Sequence, residues 1–359
     1  MSVSALPRPS EVPRPPPAAP GRPAPGRPRR PLPVVRWLRP GDREVLWLYL
    51  VTRLGIWATA AAVGRLFPSD GESRRPAPLL ASWSASGALI SFVAGGVAVL
   101  SLARIARARP GGDDGARRAV AFLLVSPCAV FLAAGYTESL FLALALPAWL
   151  AAQRQSWAAA SVLACLACSV RVTGLFLAAA LVLHFLLTAR TRATWRSAPW
   201  LVLPALPALL FSWYLHAWTG DWMAWKHSQE RGWYRDFHLP WEAWAHTWTA
   251  AFGHAHPTGY ALMWQAELLA MVTGVVLLAV LVRRRHWPEA LYVALTLWAL
   301  GTSYWYTSLP RSTLLWWPLW ISLAGWSLGR PWVRSAYLYV AGPLCTTVAI
   351  TFLTGRWAG

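Results

Sequence analysis

The sequence predicts an all-α protein that crosses a membrane many times, and three observations support this fold class. Hydrophobic residues make up 56% of the 359 residues, whereas charged residues make up only 13%. Soluble domains carry about 25% charged residues, so this composition is typical of an integral membrane protein. The apolar residues also fall into long runs, and short arginine-rich segments separate many of them. That alternation is the pattern of membrane helices joined by basic cytoplasmic turns.

The first 40 residues differ from the rest of the chain. Residues 1–40 are rich in Pro and Arg, a composition that cannot bury enough apolar surface to fold. We expect them to form a disordered cytoplasmic tail, followed by one polytopic transmembrane domain over residues 41–359. The net charge of +19 arises largely from arginines in this tail and between the apolar runs. It therefore indicates membrane orientation by the positive-inside rule, and no nucleic-acid partner is expected.

About eleven membrane helices are predicted, because a span needs about 20 apolar residues and somewhat fewer where the helix is buried. The predicted spans are residues 45–66, 86–104, 119–135, 139–152, 157–170, 174–188, 199–217, 259–282, 289–305, 312–328 and 335–353. Placing every strongly basic turn in the cytoplasm gives a cytoplasmic N-terminus and a C-terminus on the opposite side. The two main non-cytoplasmic loops are then residues 67–85 and 219–258.

The predicted topology places the acidic residues on the non-cytoplasmic side, with Glu138 at the tip of a helical hairpin. The others expected there are Asp70, Glu72, Asp221, Glu230, Asp236 and Glu242. Only Glu267 lies inside a span without an evident partner. A transporter places polar groups near the bilayer midplane, between related halves, and no internal repeat is evident here. The pattern favours chemistry at the membrane surface over passage through it.

Four of these carboxylates are candidates for a catalytic base: Asp70, Glu138, Asp221 and Asp236. Such a base takes a proton from an acceptor hydroxyl while a sugar is transferred. For each of them, a solvated loop charge or a helix cap is the alternative. For Glu138, in the segment YTES, a cap at the start of the next helix is the main alternative.

Three arginines lie within or at the ends of predicted membrane helices, where an unpaired charge is costly. Arg171 and Arg311 stand at non-cytoplasmic helix ends, where the planar guanidinium suits the oxygens of a lipid phosphate. An interfacial anchor or an ion pair with a nearby carboxylate is the alternative for both. Arg53 lies inside the first span, and we expect it to contact Glu138 or a lipid headgroup.

The segment 218–248 is dense in tryptophan. Indole side chains concentrate at bilayer interfaces whatever the function, so the segment predicts either interfacial anchoring or a platform on which sugars stack. His254 and His256 have no evident third ligand, and no metal site is predicted.

Residues 126–175, from SPCAVFLAAGYTES to SVRVTGL, resemble the PIG-V family, the second mannosyltransferase of GPI-anchor synthesis, and its bacterial relatives. The positions that match the family pattern are Pro127, Tyr136, Thr137, Glu138, Ser139, Arg171 and Gly174. The segment TGDWMAWKHSQERGW followed by LPW resembles the family's second outer loop. Its corresponding residues are Thr219, Gly220, Asp221, His227, Gln229 and Trp241. The segment 308–326 resembles an arginine-led late span, and the resemblance extends over roughly residues 45–330.

This resemblance implies a GT-C fold and an inverting transfer of a sugar, mannose, from a polyprenyl-phosphate donor on the non-cytoplasmic side of the cell membrane. Together with the positions of the carboxylates and arginines, it leads us to expect catalytic roles for Asp70, Glu138 and Asp221, and donor-phosphate binding by Arg171 and Arg311. The residues implied in acceptor or sugar binding are Tyr136, His227 and Trp241. No cofactor is expected, because the lipid-linked sugar is a co-substrate. The acceptor is left open between a glycolipid, a polysaccharide and a protein.

The first outer loop departs from the family pattern. The family carries a Trp-Asp motif there, and its aspartate is the expected base, whereas here Trp83 is followed by Ser84. Either Asp70 replaces that aspartate, or the chain has lost activity. The alternatives to an enzyme are therefore a non-catalytic relative that binds a lipid-linked glycan or a membrane partner, and a lipid or sugar carrier.

Overall fold

The computed structural model describes Arg39 and residues 41–66, 83–254 and 256–356, without the side chains of residues 63–66 and 83–84. The disordered tail predicted for residues 1–40 and the candidate base Asp70 lie outside this part, apart from Arg39. All regular secondary structure in the described residues is helical. The helices are α1 Asp42–Leu66, α2 Trp83–Arg107, α3 Gly112–Leu124, α4 Thr137–Gln153, α5 Trp157–Val170, α6 Thr173–Thr188, α7 Arg192–Trp195, α8 Leu206–Thr219, α9 Ala224–Trp233, α10 Pro240–Phe252, α11 Thr258–Arg283, α12 Trp287–Gly301, α13 Leu309–Ser312, α14 Trp317–Gly329 and α15 Pro331–Leu353.

Five helical segments among the described residues are long and apolar enough to cross a membrane. They are Asp42–Ala62, Ala85–Arg107, Arg192–Thr219, Thr258–Arg283 and Pro331–Leu353. Two shorter apolar helices, Trp157–Val170 and Thr173–Thr188, coincide with two of the short predicted spans. The described part of the chain is thus all-α with five helical segments of membrane-spanning character, whereas the count of eleven spans stays a prediction.

The predicted span 119–135 is not one helix. Helix α3 begins earlier, at Gly112, and ends at Leu124, and a 3₁₀ helix at Ala129–Leu132 follows it. All four residues of this 3₁₀ helix are buried. The single span was predicted from a continuous apolar run. Such a run indicates burial but not helix, and the buried irregular segment after α3 is as apolar as a membrane helix. Pro127 also disfavours helix at the residue before it.

The long loop predicted over residues 219–258 contains helices α9 and α10. Proline at the first position of α10 has the fixed φ that a helix start requires, and Glu242 accepts a hydrogen bond from the Leu239 N–H at 2.9 Å. Helix α10 packs on α11, so part of this loop joins the helical core. The core itself runs through α2, α4 and α5, which pack in succession, and continues through α6 and α12.

The expectation that the acidic residues gather at one surface is wrong. Asp42 is fully buried at the start of α1, where it forms ion pairs with Arg107 and, at 4.0 Å, with Arg104. Ser91 of α2 lies beside the start of α4, and it is 16 residues from Arg107, about 24 Å along the helix axis. The bundle therefore has carboxylates at both ends, because the basic helix ends need local counter-ions.

Arg53 does not contact Glu138. Its side chain is fully buried, Nη1 donates a hydrogen bond to the Ala129 carbonyl at 3.2 Å, and its guanidinium lies over the Tyr49 ring at 5.5 Å. The irregular segment after α3 leaves carbonyl groups without helical partners, and Arg53 uses one of them.

Candidate functional site

The site is built around the start of α4, where Glu138 is fully buried in the first helical turn. Two glycines bring this turn against α2: a Cβ at Gly135 would lie 3.2 Å from the Gly87 Cα. Ser91 then donates a hydrogen bond to the Tyr136 carbonyl at 3.3 Å. Only backbones without side chains approach this closely, so the glycines fix where α4 begins.

Arg171 is the first partner of Glu138. The hairpin of α4 and α5 returns the chain to the start of α4, and Arg171 Nη1 lies 2.6 Å from Glu138 Oε1 and 2.7 Å from Thr137 Oγ1. The tight turn after Arg171 requires glycine, since a Cβ at Gly174 would lie 2.5 Å from the Cys168 Cα. Of the alternatives for Arg171, the structure therefore shows the ion pair with a nearby carboxylate, which is Glu138.

Arg311 is the second partner, and it approaches from α13, far along the chain. Its Nε lies 3.0 Å from the same Oε1 of Glu138, an ion-pair contact without the alignment of a hydrogen bond. Its guanidinium also lies over the rings of Phe131, at 5.3 Å, and Tyr136, at 5.4 Å. One buried carboxylate oxygen thus contacts two arginines, and Glu138 does not cap the helix.

Glu267 holds the segment that carries Arg311. Its Oε1 accepts a hydrogen bond from the Ser308 N–H at 2.7 Å, and Oε2 accepts one from the Leu309 N–H at 2.8 Å. Ser308 has a positive φ of 65°, which is uncommon for serine, and the two bonds stabilise that turn. The sequence left this buried carboxylate without a partner because its partners are backbone groups about 40 residues away.

Arg235 is a third cation of the site, and the sequence did not single it out. It follows α9 in a segment held by a hydrogen bond from the His238 N–H to the Thr302 carbonyl at 2.8 Å. Burial lowers the pKa of Arg235, the positive charges of Arg171 and Arg311 lower it further, and Glu267 opposes them. Its Nε has no hydrogen-bond partner among the described residues. In sequence it resembles an ordinary loop charge.

Asp221 and His227 pair with each other, at 2.7 Å between Oδ2 and Nδ1, on the exposed side of α9. A hydrogen bond from the Met223 N–H lowers the pKa of Asp221, and its bond with His227 lowers it further. Asp236 lies 3.4 Å from Nδ1 of His238. These candidates form surface pairs of their own, outside the contacts of Glu138.

An apolar groove of about 720 Å³ lies between α10, α11 and α12. Trp241, Trp244 and Trp298 line it, together with aliphatic side chains of α11 from Met271 onward. Met271 follows Glu267 by four residues, about 6 Å along the helix. The groove therefore begins one helical turn from the residue that holds the Arg311 segment, and Trp241 lines this groove.

The site carries more positive charge from arginines than its ion-paired carboxylate can neutralise. Arg171 and Arg311 share one ion-paired carboxylate, Glu138, and Arg235 adds a positive charge nearby, while Glu267 is occupied by backbone N–H groups. Surplus guanidinium groups at a partly buried site favour a phosphate ligand. Within the described residues, no group of three or more His, Cys, Asp or Glu side chains is placed to hold a metal ion.

Comparison of the chain with protein-family models, with curated proteins and with solved structures finds no match.

Proposed function

We propose that the protein is a membrane glycosyltransferase that transfers a sugar, mannose, from a polyprenyl-phosphate donor to an acceptor at the membrane surface where α4 begins. The observation that supports this proposal most is the contact of both Arg171 and Arg311 with the buried carboxylate of Glu138. The resemblance to the PIG-V family at these same residues supports it independently.

The arginine cluster fits the phosphate of the donor. In the transfer, an acceptor hydroxyl oxygen bonds to the anomeric carbon of the sugar, and the bond from that carbon to the phosphate oxygen breaks. The leaving polyprenyl phosphate gains negative charge, which Arg171 and Arg311 would stabilise, with Arg235 as a further positive charge nearby. Preorganised cations aimed at a charge that develops in the transition state give one of the largest single contributions to catalysis.

Glu138 then acts as a positioning residue for the arginines. Its Oε1 contacts two guanidinium groups, so it holds both in place before the donor arrives. The proton of the acceptor hydroxyl passes to another carboxylate. Asp221, which His227 orients at the surface, is the candidate for this base in the described part of the chain.

The groove lined by Trp241 fits the apolar part of the donor. Its walls are nearly all hydrophobic, and it begins one helical turn from Glu267. A polyprenyl chain lying there would leave its phosphate near Arg311. The active face is then the non-cytoplasmic one, with the N-terminus of the chain in the cytoplasm, as the basic turns predict.

Transfer of labelled mannose from synthetic polyprenyl-phosphate mannose by the protein in liposomes tests the proposal. With a broad panel of acceptors we expect turnover, reduced at least about a hundredfold in Arg171→Gln and in Arg311→Gln. Equal turnover in wild type and both variants would exclude the arginines from the reaction, and no transfer to any acceptor would count against an enzyme.

One observation favours a second function, a non-catalytic relative that binds a lipid-linked glycan. Both oxygens of Glu267 accept hydrogen bonds from backbone N–H groups, and Oε1 of Glu138 contacts two arginines. Oε2 of Glu138 has no hydrogen-bond partner among the described residues, but its carboxylate is already neutralised by Arg171 and Arg311, which makes it a poor base. This function predicts that polyprenyl-phosphate mannose raises the Tm of the protein without any turnover, and that Arg311→Gln abolishes the rise.

A further inference from the structure

A second cavity lies at the end of the helix bundle opposite Glu138. Its volume is about 930 Å³, and its walls come from residues 109–111, the end of α11, the start of α12 and one side of α14 along its whole length. Ile105 of α2 lines it, whereas Ser91 of the same helix contacts Tyr136 beside Glu138. The 14 residues between them span about 21 Å of helix. This cavity is therefore separate from the candidate site.

The floor of the cavity carries one fixed ion pair and a histidine. Arg109 Nη2 lies 3.0 Å from Glu289 Oε1, and Arg109 Nη1 lies 3.3 Å from Nε2 of His286. Burial lowers the pKa of His286, with a further lowering by the positive charges of Arg109 and Arg284 that Glu289 opposes. Glu289 thus neutralises the charge of Arg109. The positive charge of Arg284 also acts on the imidazole ring of His286.

The rim carries two more arginines, Arg284 and Arg330, both exposed. Neither has a carboxylate within ion-pair distance among the described residues. The guanidinium of Arg330 lies over the Trp326 ring at 5.9 Å, which holds it at the mouth. Three arginines and one carboxylate, that of Glu289, line the cavity. Its net charge is therefore +2 when His286 is neutral.

The remaining wall is apolar and reaches into the bundle. Leu281, Ile321 and Trp317 contribute to it, and the exposed rings of Trp326 and Trp332 stand beside the mouth. Cations at the rim above a hydrophobic wall match a molecule with a charged head and an apolar tail. Tryptophan side chains mark the depth at which lipid headgroups lie, which favours a lipid over a soluble phosphate.

We propose that this cavity binds the phosphate headgroup of an anionic phospholipid, with Arg284 and Arg330 on the phosphate and an acyl chain along the wall of α14. The proposal goes beyond the glycosyltransferase function and does not rest on it. Anionic lipids are attracted to basic helix ends at membrane surfaces. The fixed pair of Arg109 and Glu289 shapes the floor, and the two rim arginines supply the binding charge.

Native mass spectrometry of the full chain in detergent, titrated with phosphatidylglycerol, tests this site. We expect Arg284→Gln with Arg330→Gln to weaken binding at least about tenfold. The matched control is Arg283→Gln with Arg285→Gln, two exposed arginines of the same segment that do not line the cavity. Arg284→Lys with Arg330→Lys keeps both charges and is expected to retain most of the binding.

Specific binding is supported when the double variant at the rim, Arg284→Gln with Arg330→Gln, no longer binds phosphatidylglycerol and the control double variant still does. All variants must be monodisperse and of similar Tm. Equal losses in both pairs would show attraction to net charge alone and overturn the site. Unchanged binding in the rim pair would also overturn it. Inorganic phosphate is the third arm: if it displaces phosphatidylglycerol at equal concentration, the cavity recognises a soluble phosphate and the lipid assignment is wrong.

Discussion

Removing the charge of Glu138 is the most informative perturbation of the candidate site. Glu138→Gln keeps the shape of the side chain but leaves Arg171 and Arg311 without the carboxylate that both contact. Breaking a fully buried ion pair in this way costs about 3–5 kcal/mol. The two arginine side chains are 18% and 21% exposed, so solvent recovers part of that cost. We therefore expect the free energy of unfolding to fall by about 2–3 kcal/mol.

Denaturant unfolding in mixed micelles measures this loss, and a double-mutant cycle with Arg171→Gln separates the pair from its surroundings. We expect the double variant to be less destabilised than the sum of the single variants, with a coupling of about 1–3 kcal/mol. The control is Glu230→Gln, which removes one partner of a surface pair with Lys226, at 3.4 Å. Its effect should stay below about 1 kcal/mol. Additivity of Glu138→Gln and Arg171→Gln within about 0.5 kcal/mol would refute the ion pair.

Three further changes test the surroundings of this pair. Glu267→Gln turns one acceptor oxygen into a donor facing a backbone N–H, so the unfolding free energy should fall by about 1–3 kcal/mol, and an unchanged value would contradict its role. Trp241→Ala should weaken polyprenyl-phosphate binding roughly fivefold to thirtyfold, whereas Trp213→Ala, which changes a similarly exposed tryptophan of α8, should not; equal effects would exclude the groove. The lowered pKa of Asp221 stabilises the fold above the ordinary value of 3.8, and this contribution is lost as the pH falls through the lower folded pKa. Asp221→Asn should therefore destabilise the protein at pH 7 and converge with wild type once the pH falls below the lowered folded pKa, and a constant difference would contradict the shift.

The long helices were predictable because each is determined by its own residues. Runs of about 20 apolar residues gave α1, α2, α11 and α15 with boundaries close to those observed. The segment after α3 was not predictable in this way. Its residues are apolar because they are buried around Arg53, and the 3₁₀ helix there depends on contacts from other helices.

The site was predictable only where two residues are joined by a short hairpin. Glu138 and Arg171 lie at the two open ends of α4 and α5, so an antiparallel pair brings them together. The contacts of Glu138 with Arg311, and of Glu267 with the backbone at Ser308, depend on how distant helices pack. No sequence pattern fixes that packing, and Arg235 was missed for the same reason.

The central claim is that Arg171 and Arg311 bind the phosphate of a polyprenyl-phosphate lipid, and the affinity of the purified protein for that lipid tests it most directly. Each charge-assisted hydrogen bond contributes about 1.5–3 kcal/mol, so losing both should weaken binding by about a hundredfold or more. We predict this loss for Arg171→Gln with Arg311→Gln, and an unchanged affinity for Arg231→Gln, an exposed arginine of α9. A double variant that binds polyprenyl phosphate as tightly as wild type, while remaining folded, would contradict the claim.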